Sequence, residues 1–334
     1  MTLKELCEQM RSTTDYVLPL KSYVMVAVDG HSFSKLIKKK FDLPFDNRFV
    51  RYMNETAKYV CKKVQGCKLA YTQSDEITFV ITDFDSGNGE ESENTAYFGN
   101  RLTKLLSIIP SMASAKFNQL VFADICDKAI ATGTELKETI ENTNVVDFDA
   151  KAWSVDSIKD VWRYLMWRQR DCIRNSKGQT AQTYLSHNQL IFLSTDEQIE
   201  KLKKEKGIDW NSFPPELKYG RFIYKEEVEF NNIETGEIYF RSQFLVHPAP
   251  VIADNFQGFL DLGVVPIKDG DNYNNENDEI TPTRKWSLLA DFLEQYGKYL
   301  SNKYTQTLRL QSEFTEEEYD ETFQKVKKEL EQFK

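Results

Sequence analysis

The sequence predicts an α/β (α+β) protein built around a β-α-β-β-α-β core, with a helical and hairpin region after it and a helical C-terminal extension. Three observations predict this. The β-branched apolar run Tyr23-Val-Met-Val-Ala-Val28 stops abruptly at Asp29-Gly30. Two more apolar runs, Leu69–Tyr71 and Ile77–Ile81, flank the tight turn Gln73-Ser74-Asp75-Glu76. Apolar residues at helical spacing occupy the intervals around them.

Taken in order, the first run reads as a central strand. Phe49, Met53, Ala57, Val60 and Val64 recur every three or four residues and predict a helix over 46–64, ended by Gly66. The two strands around the turn follow. Residues 83–93 then form an acidic, Gly-containing surface loop, and a helix is expected over about 94–117, kinked or interrupted at Pro110. Leu120–Ala123 and Asn144–Phe148 are strand candidates, completing the split βαβ, or ferredoxin-like, order. In that order the first and third strands pair at the centre of the sheet. Further on, 156–174 reads as a helix with an aromatic face and a row of arginines, and more helix is expected over 179–187 and 195–206. Arg221–Phe230 and Glu237–Val246 form a hairpin around Thr235-Gly236. Residues 268–279 are an acidic linker, and 285–312 and 315–332 are amphipathic helices. The domain reading is a catalytic unit over 1–154, a region over 155–265 that completes it, and an extension over 266–334.

Composition sets the outer limits. The chain has 334 residues, 43 Lys+Arg against 52 Asp+Glu and a net charge of −9, so any polyanionic partner must be held by local basic patches rather than by global charge. No stretch approaches the roughly 18 apolar residues of a membrane helix. The polar N-terminus has no apolar secretion segment. The cysteines at 7, 61, 67, 126 and 172 are an odd, scattered set without zinc spacing. A cytoplasmic protein with reduced thiols is expected.

The residues with chemical potential lie at strand ends. Asp29 closes the first strand, with Gly30 allowing close backbone approach, and Asp75-Glu76 sits in the turn of the neighbouring pair. Carboxylates meeting over a sheet edge make a hard oxygen site suited to Mg²⁺. Two such ions, roughly 3.5–4 Å apart, align an attacking hydroxyl and a leaving pyrophosphate. The same residue types are ordinary turn formers, and spacing alone leaves both readings open.

A resemblance separates them. Val28-Asp29-Gly30-His31-Ser32-Phe33, together with Tyr71-Thr72-Gln73-Ser74-Asp75-Glu76-Ile77-Thr78-Phe79, resembles the tRNA-histidine guanylyltransferase family. Ser111-Met-Ala-Ser114 with Phe117, Phe148-Asp149-Ala-Lys151, Trp167-Arg168-Gln169-Arg170-Asp171, Pro214-Pro-Glu-Leu-Lys-Tyr-Gly220 and Thr235-Gly236-Glu237 follow in the family's order, so the resemblance spans about residues 5–260. It implies a polymerase-like palm that adds nucleotides to RNA 5′ ends in the 3′–5′ direction, with two Mg²⁺ ions, ATP and GTP as substrates, tRNA as partner, no membrane and a homo-oligomer, typically a tetramer.

Carried onto this chain, the resemblance implies that Asp29 and Asp75 ligate metal with the Gly30 carbonyl, and that Glu76 stands beside them as a third catalytic carboxylate. Ser74, His31, Ser32 and Phe33 would bind nucleotide. The family usually has Arg where His31 stands, and a Lys near the triphosphate falls at Leu43, with Lys38, Lys39 and Lys40 close by. Arg101, Lys104, Arg168, Arg170 and Arg174 would meet RNA. Arg163 and Lys177 share the arginine-rich helix with Trp162 and Trp167, both read as core in preference to base-stacking, while Gln169 and Asp171 orient it.

One departure is informative. Histidine-specific members carry His-Ile-Asn-Asn-Leu-Tyr-Asn after the cysteine, whereas this chain has Ile173-Arg174-Asn175-Ser176. The chain therefore looks like the "-like" branch, associated with template-dependent repair of 5′-truncated tRNA. The alternatives are a guanylyltransferase adding G before position 1 of histidine tRNA, a nucleotide cyclase on a similar palm, and a non-catalytic RNA-binding relative.

Overall fold

The β-branched run from Tyr23 forms strand β1 (Tyr23–Gly30), which lies between two others in a sheet of six. The others are β2 (Cys67–Gln73), β3 (Glu76–Ile81), β4 (Phe148–Val155), β5 (Arg221–Asn231) and β6 (Ile238–Pro248). Their spatial order is β4-β1-β3-β2-β5-β6, antiparallel at every pairing. The computed structural model describes residues 2–12, 16–31, 33, 41–85, 95–141, 143–231, 237–253 and 255–268. The expected helices over 285–312 and 315–332, the acidic linker, most of the acidic loop and Thr235-Gly236 lie outside the described residues.

The described residues include helices α1 (Leu3–Ser12), α2 (Asn47–Lys63), α3 (Leu102–Thr132), α4 (Leu136–Glu141), α5 (Ile158–Tyr184), α6 (His187–Leu190) and α7 (Thr195–Lys206). Alternation along β1 divides two cores. Val24, Val26 and Val28 pack with α2 and α3 on one face. Tyr23 and Met25 pack with Ile158, Val161, Trp162, Leu165 and Met166 of α5 on the other. A third cluster joins Ala181 and Leu185 to Ile199, Leu202 and Trp210.

The structure corrects two expected strands. Leu120–Ala123 lies inside α3, which runs unbroken through Pro110. Leu105, Ile109, Ala113 and Phe117 are buried at steps of four, and Leu120 and Val121 extend the stripe. A four-residue apolar run fits strand and helix alike, so the flanking period decides it. The hydroxyl of Ser114 donates to the Pro110 carbonyl at 2.9 Å. The other candidate, Asn144–Phe148, only leads into β4, which begins at Phe148. There the Asn118 side chain bonds both the N–H and the carbonyl of Val146, at 3.0 and 2.8 Å. The expected helices over 156–174 and 179–187 are largely one, α5. Its N-terminus is set by Ser157, whose hydroxyl accepts from the Asp160 N–H.

Candidate active site

The two strand-end motifs meet. In the β1–β3 ladder Asp29 stands opposite Glu76, and in the β1–β4 ladder it stands opposite Asp149. By the alternation that puts Tyr23 and Met25 under α5, Asp29, Glu76 and Asp149 share that face of the sheet. Only Ser74 and Asp75 separate β2 from β3, since Gln73 pairs with Glu76. The turn is tied to β1 by the Gly30 N–H, which donates to the Asp75 carbonyl at 3.1 Å. Ser74 adopts a left-handed backbone with φ of 45°, a conformation that costs a non-glycine residue roughly 1–2 kcal/mol.

Crowding of like charge marks the site. Partial removal of water, then repulsion from Asp75, Glu76 and Asp149, pushes the Asp29 carboxyl up to about 6. Burial raises Asp75, opposed by a hydrogen bond from Ser74. Burial also raises Glu76, opposed by the Arg168 guanidinium. That guanidinium forks onto Glu76, with Nε to Oε1 at 2.8 Å and Nη2 to Oε2 at 2.6 Å, while its Nη1 lies 3.0 Å from Asp171.

Other expected site residues fall in different places. A Cβ on Gly30 would sit 2.4 Å from the Phe33 ring, so the missing side chain makes room for Phe33 rather than for a ligand. Phe33 itself is 1% exposed, with the rings of Phe49, Phe117 and Phe148 around it at 6.2, 5.1 and 5.0 Å, and its side chain is core. The His31 side chain is exposed, but its N–H is committed to the Asp147 carbonyl at 2.9 Å. Ser32 and Lys38 to Lys40 lie outside the described residues. Arg101 caps the start of α3, beside the chain leading into β1. Arg101 and Lys104 are thus roughly 20 Å of helix rise before Phe117, which packs at the Gly30 end.

The arginine row of α5 is largely satisfied within the fold. Arg163 pairs with Asp160 at 2.7 Å, Arg174 with Asp171 at 2.8 Å and Lys177 with Asp196 at 2.5 Å. Arg168 is held by Glu76, and Arg170 is half-buried on the same helix. Gln169 does orient the helix. Fully buried, it donates to the carbonyls of Tyr219 and Pro250 and accepts from the Ile252 N–H. Trp162 is core, its indole N–H on the Ile252 carbonyl at 2.9 Å, but Trp167 is 55% exposed, contrary to expectation. Ile173 packs against the third cluster.

The donors at the site are the hard oxygens that Mg²⁺ takes, and the repulsion felt by Asp29 is what a divalent cation relieves. Among the described residues no group of three His, Cys, Asp or Glu side chains closes to metal-ligating positions, and Glu76 is turned to Arg168. None of the described helices is long and apolar enough to cross a membrane.

Comparison with known proteins places this geometry in context. Residues 5–156 match the family described as Thg1, tRNAHis guanylyltransferase. An uncharacterised protein of Acanthamoeba polyphaga mimivirus is 30% identical over 240 residues, covering 67% of this chain and 77% of that one. The probable tRNA(His) guanylyltransferase of Dictyostelium discoideum is 25% identical, covering 70% of this chain and 87% of its own. A bacterial Thg1-like protein in complex with ATP superposes with a TM-score of 0.64 at 29% identity, over 79% of this chain and 99% of that chain. One in complex with GTP gives 0.60 at 27% identity, over 78% and 98%.

Proposed function

This chain belongs to the Thg1-like family, the 3′–5′ nucleotidyltransferases of tRNA, and on that premise we propose that it refills missing 5′ nucleotides of tRNA under direction of the template strand. The observation that carries the reading is the register placing Asp29 opposite Glu76 with Asp75 in the adjoining turn. The β4-β1-β3-β2 order of the first four strands supports a ferredoxin-like polymerase palm over residues 1–154. Region 155–265 completes it by adding β5 and β6 to the same sheet and laying α5 across it.

In this reading Asp29, Asp75 and the Gly30 carbonyl would hold the two Mg²⁺ ions, which would neutralise the triphosphate and lower the pKa of an attacking 3′-hydroxyl. Asp29 must be ionised to do so. Its proton affinity, raised toward neutral pH, is the cost of partial burial first and then of crowding three further carboxylates around it. Ser74, exposed beside Asp75, faces the triphosphate. Glu76 is a positioning residue: its charge is balanced by Arg168, so it shapes the field at Asp29 without being a ligand. The first step joins ATP to a 5′-monophosphate with loss of pyrophosphate. In the second, the 3′-hydroxyl of the incoming nucleotide attacks that phosphate and AMP leaves.

The preference for repair rests on Ile173. Its apolar side chain packs with the third cluster and offers no hydrogen bond, where histidine-specific members carry a histidine. The test is incubation with 5′-truncated and full-length tRNA transcripts, each NTP in turn, and Mg²⁺. Template-matched addition to truncated tRNAs is expected. Addition of G alone, to histidine tRNA alone, would replace this reading with guanylylation, the activity named for the Dictyostelium relative.

A further inference from the structure

The sheet face that carries Asp29 is not wholly covered by α5. Along β1, Tyr23 and Met25 are buried beneath that helix, but Ala27 is only half-buried and Asp29 is exposed. Their partners on β4 behave alike: Trp153, opposite Met25, is partly buried, while Lys151 and Asp149, opposite Ala27 and Asp29, are exposed. The result is a strip of open sheet with a small residue at its centre and the carboxylates at its end.

One side of the strip is walled by aromatic rings. Trp153 packs on Tyr164 with centroids 4.7 Å apart, and Tyr164 packs edge-on against Trp167 at 5.6 Å. Trp167 ends the row. The Arg168 guanidinium lies 4.5 Å from its ring centroid while that same group grips Glu76. The indole is thereby fixed on one side by a cation that is itself anchored at the active site. Yet 55% of the residue stays exposed, an uncommon state for the largest apolar side chain. A rigid, half-stacked indole beside an acidic phosphoryl-transfer site matches a nucleobase, because every base offers a π-face and stacking needs no particular sequence. The arginines of α5 are mostly occupied in ion pairs, so stacking is the contact this helix still has to give.

We propose that Trp167 is the stacking platform for the terminal base of the RNA acceptor, an assignment that rests on tRNA being the substrate. The test uses the full chain with Trp167→Ala and Trp167→Phe. Binding of a labelled 5′-truncated tRNA transcript is followed by anisotropy without NTP, and the KM for NTP is measured separately. Stacking is worth about 1–3 kcal/mol per base, so Trp167→Ala should weaken RNA binding about 5- to 150-fold. Trp167→Phe should restore most of it, and the salt dependence should not change, since no phosphate contact is lost. Unchanged RNA affinity in the alanine variant overturns the assignment. So does a rise confined to the KM for NTP, which would give the ring to the incoming nucleotide. A wild-type protein that binds the transcript but extends no tRNA would defeat the repair reading, while the anisotropy series would still decide the role of Trp167.

Discussion

Arg168 clasps Glu76 with both arms of its guanidinium, across 92 residues of sequence, and so ties the middle of α5 to the strand that faces Asp29. Both side chains are largely withdrawn from water, at 12% and 15% exposure. Removing one partner from a buried pair strands the other charge, at about 3–5 kcal/mol. Arg168→Ala is therefore expected to lower unfolding stability by an amount near the lower end of that range. The double variant Arg168→Ala/Glu76→Gln should recover a substantial part. Urea denaturation of the wild type and the two variants checks this, and a loss below about 0.5 kcal/mol in the single variant would show the pair to be no more than a surface contact.

The charge balance at Asp29 gives a second expectation. Its carboxyl is raised in the fold to about 6 from its ordinary value of 3.8. A raised carboxyl means that the folded state binds its proton more tightly than the unfolded state. The stability penalty is thus absent below the unfolded value, grows as pH rises between the two, and is complete above the folded one. In metal-free buffer at pH 8, Asp29→Asn should raise Tm relative to wild type, and the gap should close near pH 3.5. Added Mg²⁺ should raise the wild-type Tm at pH 8 but not at pH 5, where Asp29 is protonated. The cation should leave Asp29→Asn unmoved and still shift Glu76→Gln, since Glu76 is held by Arg168. A Mg²⁺ shift retained in Asp29→Asn would remove Asp29 from the metal site.

The parts of this site that local chemistry specifies were legible in the sequence. Asp29-Gly30 and Ser74-Asp75 punctuate apolar runs, and turn residues after β-branched stretches are a local signal. Nothing in its own stretch of sequence gives Asp149 a role, because only the β1–β4 register sets it against Asp29, and register across more than a hundred residues has no local signature. The ion pair of Arg168 has no local signature for a related reason: its partner Glu76 comes from distant sequence, whereas Arg174 meets an acidic residue of its own helix. Trp167 could have been separated from Trp162. Five residues turn a helix through about 140°, so the two indoles cannot both face one sheet. Pro110 and the run after it do not break α3, because the helix tolerates the proline and keeps its four-residue stripe.

Gly30 offers a test of packing at the end of β1. A methyl group there would lie 2.4–2.7 Å from three atoms of the Phe33 ring, and that ring is boxed in by other aromatics. Overpacking of this kind costs about 1–3 kcal/mol. Truncating Phe33 alone leaves a cavity and costs about 3–5 kcal/mol. In Gly30→Ala/Phe33→Ala the new methyl group meets the space the ring has left, so the double variant should be less destabilised than the sum of the singles by at least about 1 kcal/mol. Additive losses would mean that Phe33 is not what makes glycine necessary.

The final expectation concerns how the incoming base is chosen. A histidine-specific enzyme must pick one tRNA and add one G. This chain has Ile173-Arg174-Asn175-Ser176 in the segment where those members carry their polar motif. Here Ile173 packs into an apolar cluster, and Arg174 is paired with Asp171 at 2.8 Å. Neither is arranged to read a particular base. Watson–Crick pairing with the 3′ half of the acceptor stem can supply the choice instead, leaving the protein to hold the end and the triphosphate. Changing the template base opposite the vacant position from C to A, G or U should therefore switch the favoured nucleotide from G to U, C or A. The catalytic constant for each matched pair should vary by less than about tenfold, since the same residues act in every case. Competition between a truncated non-histidine tRNA and intact histidine tRNA supplies the control. If intact histidine tRNA wins, and G is added whatever base lies opposite, then Ile173 does not mark the loss of histidine-tRNA selection.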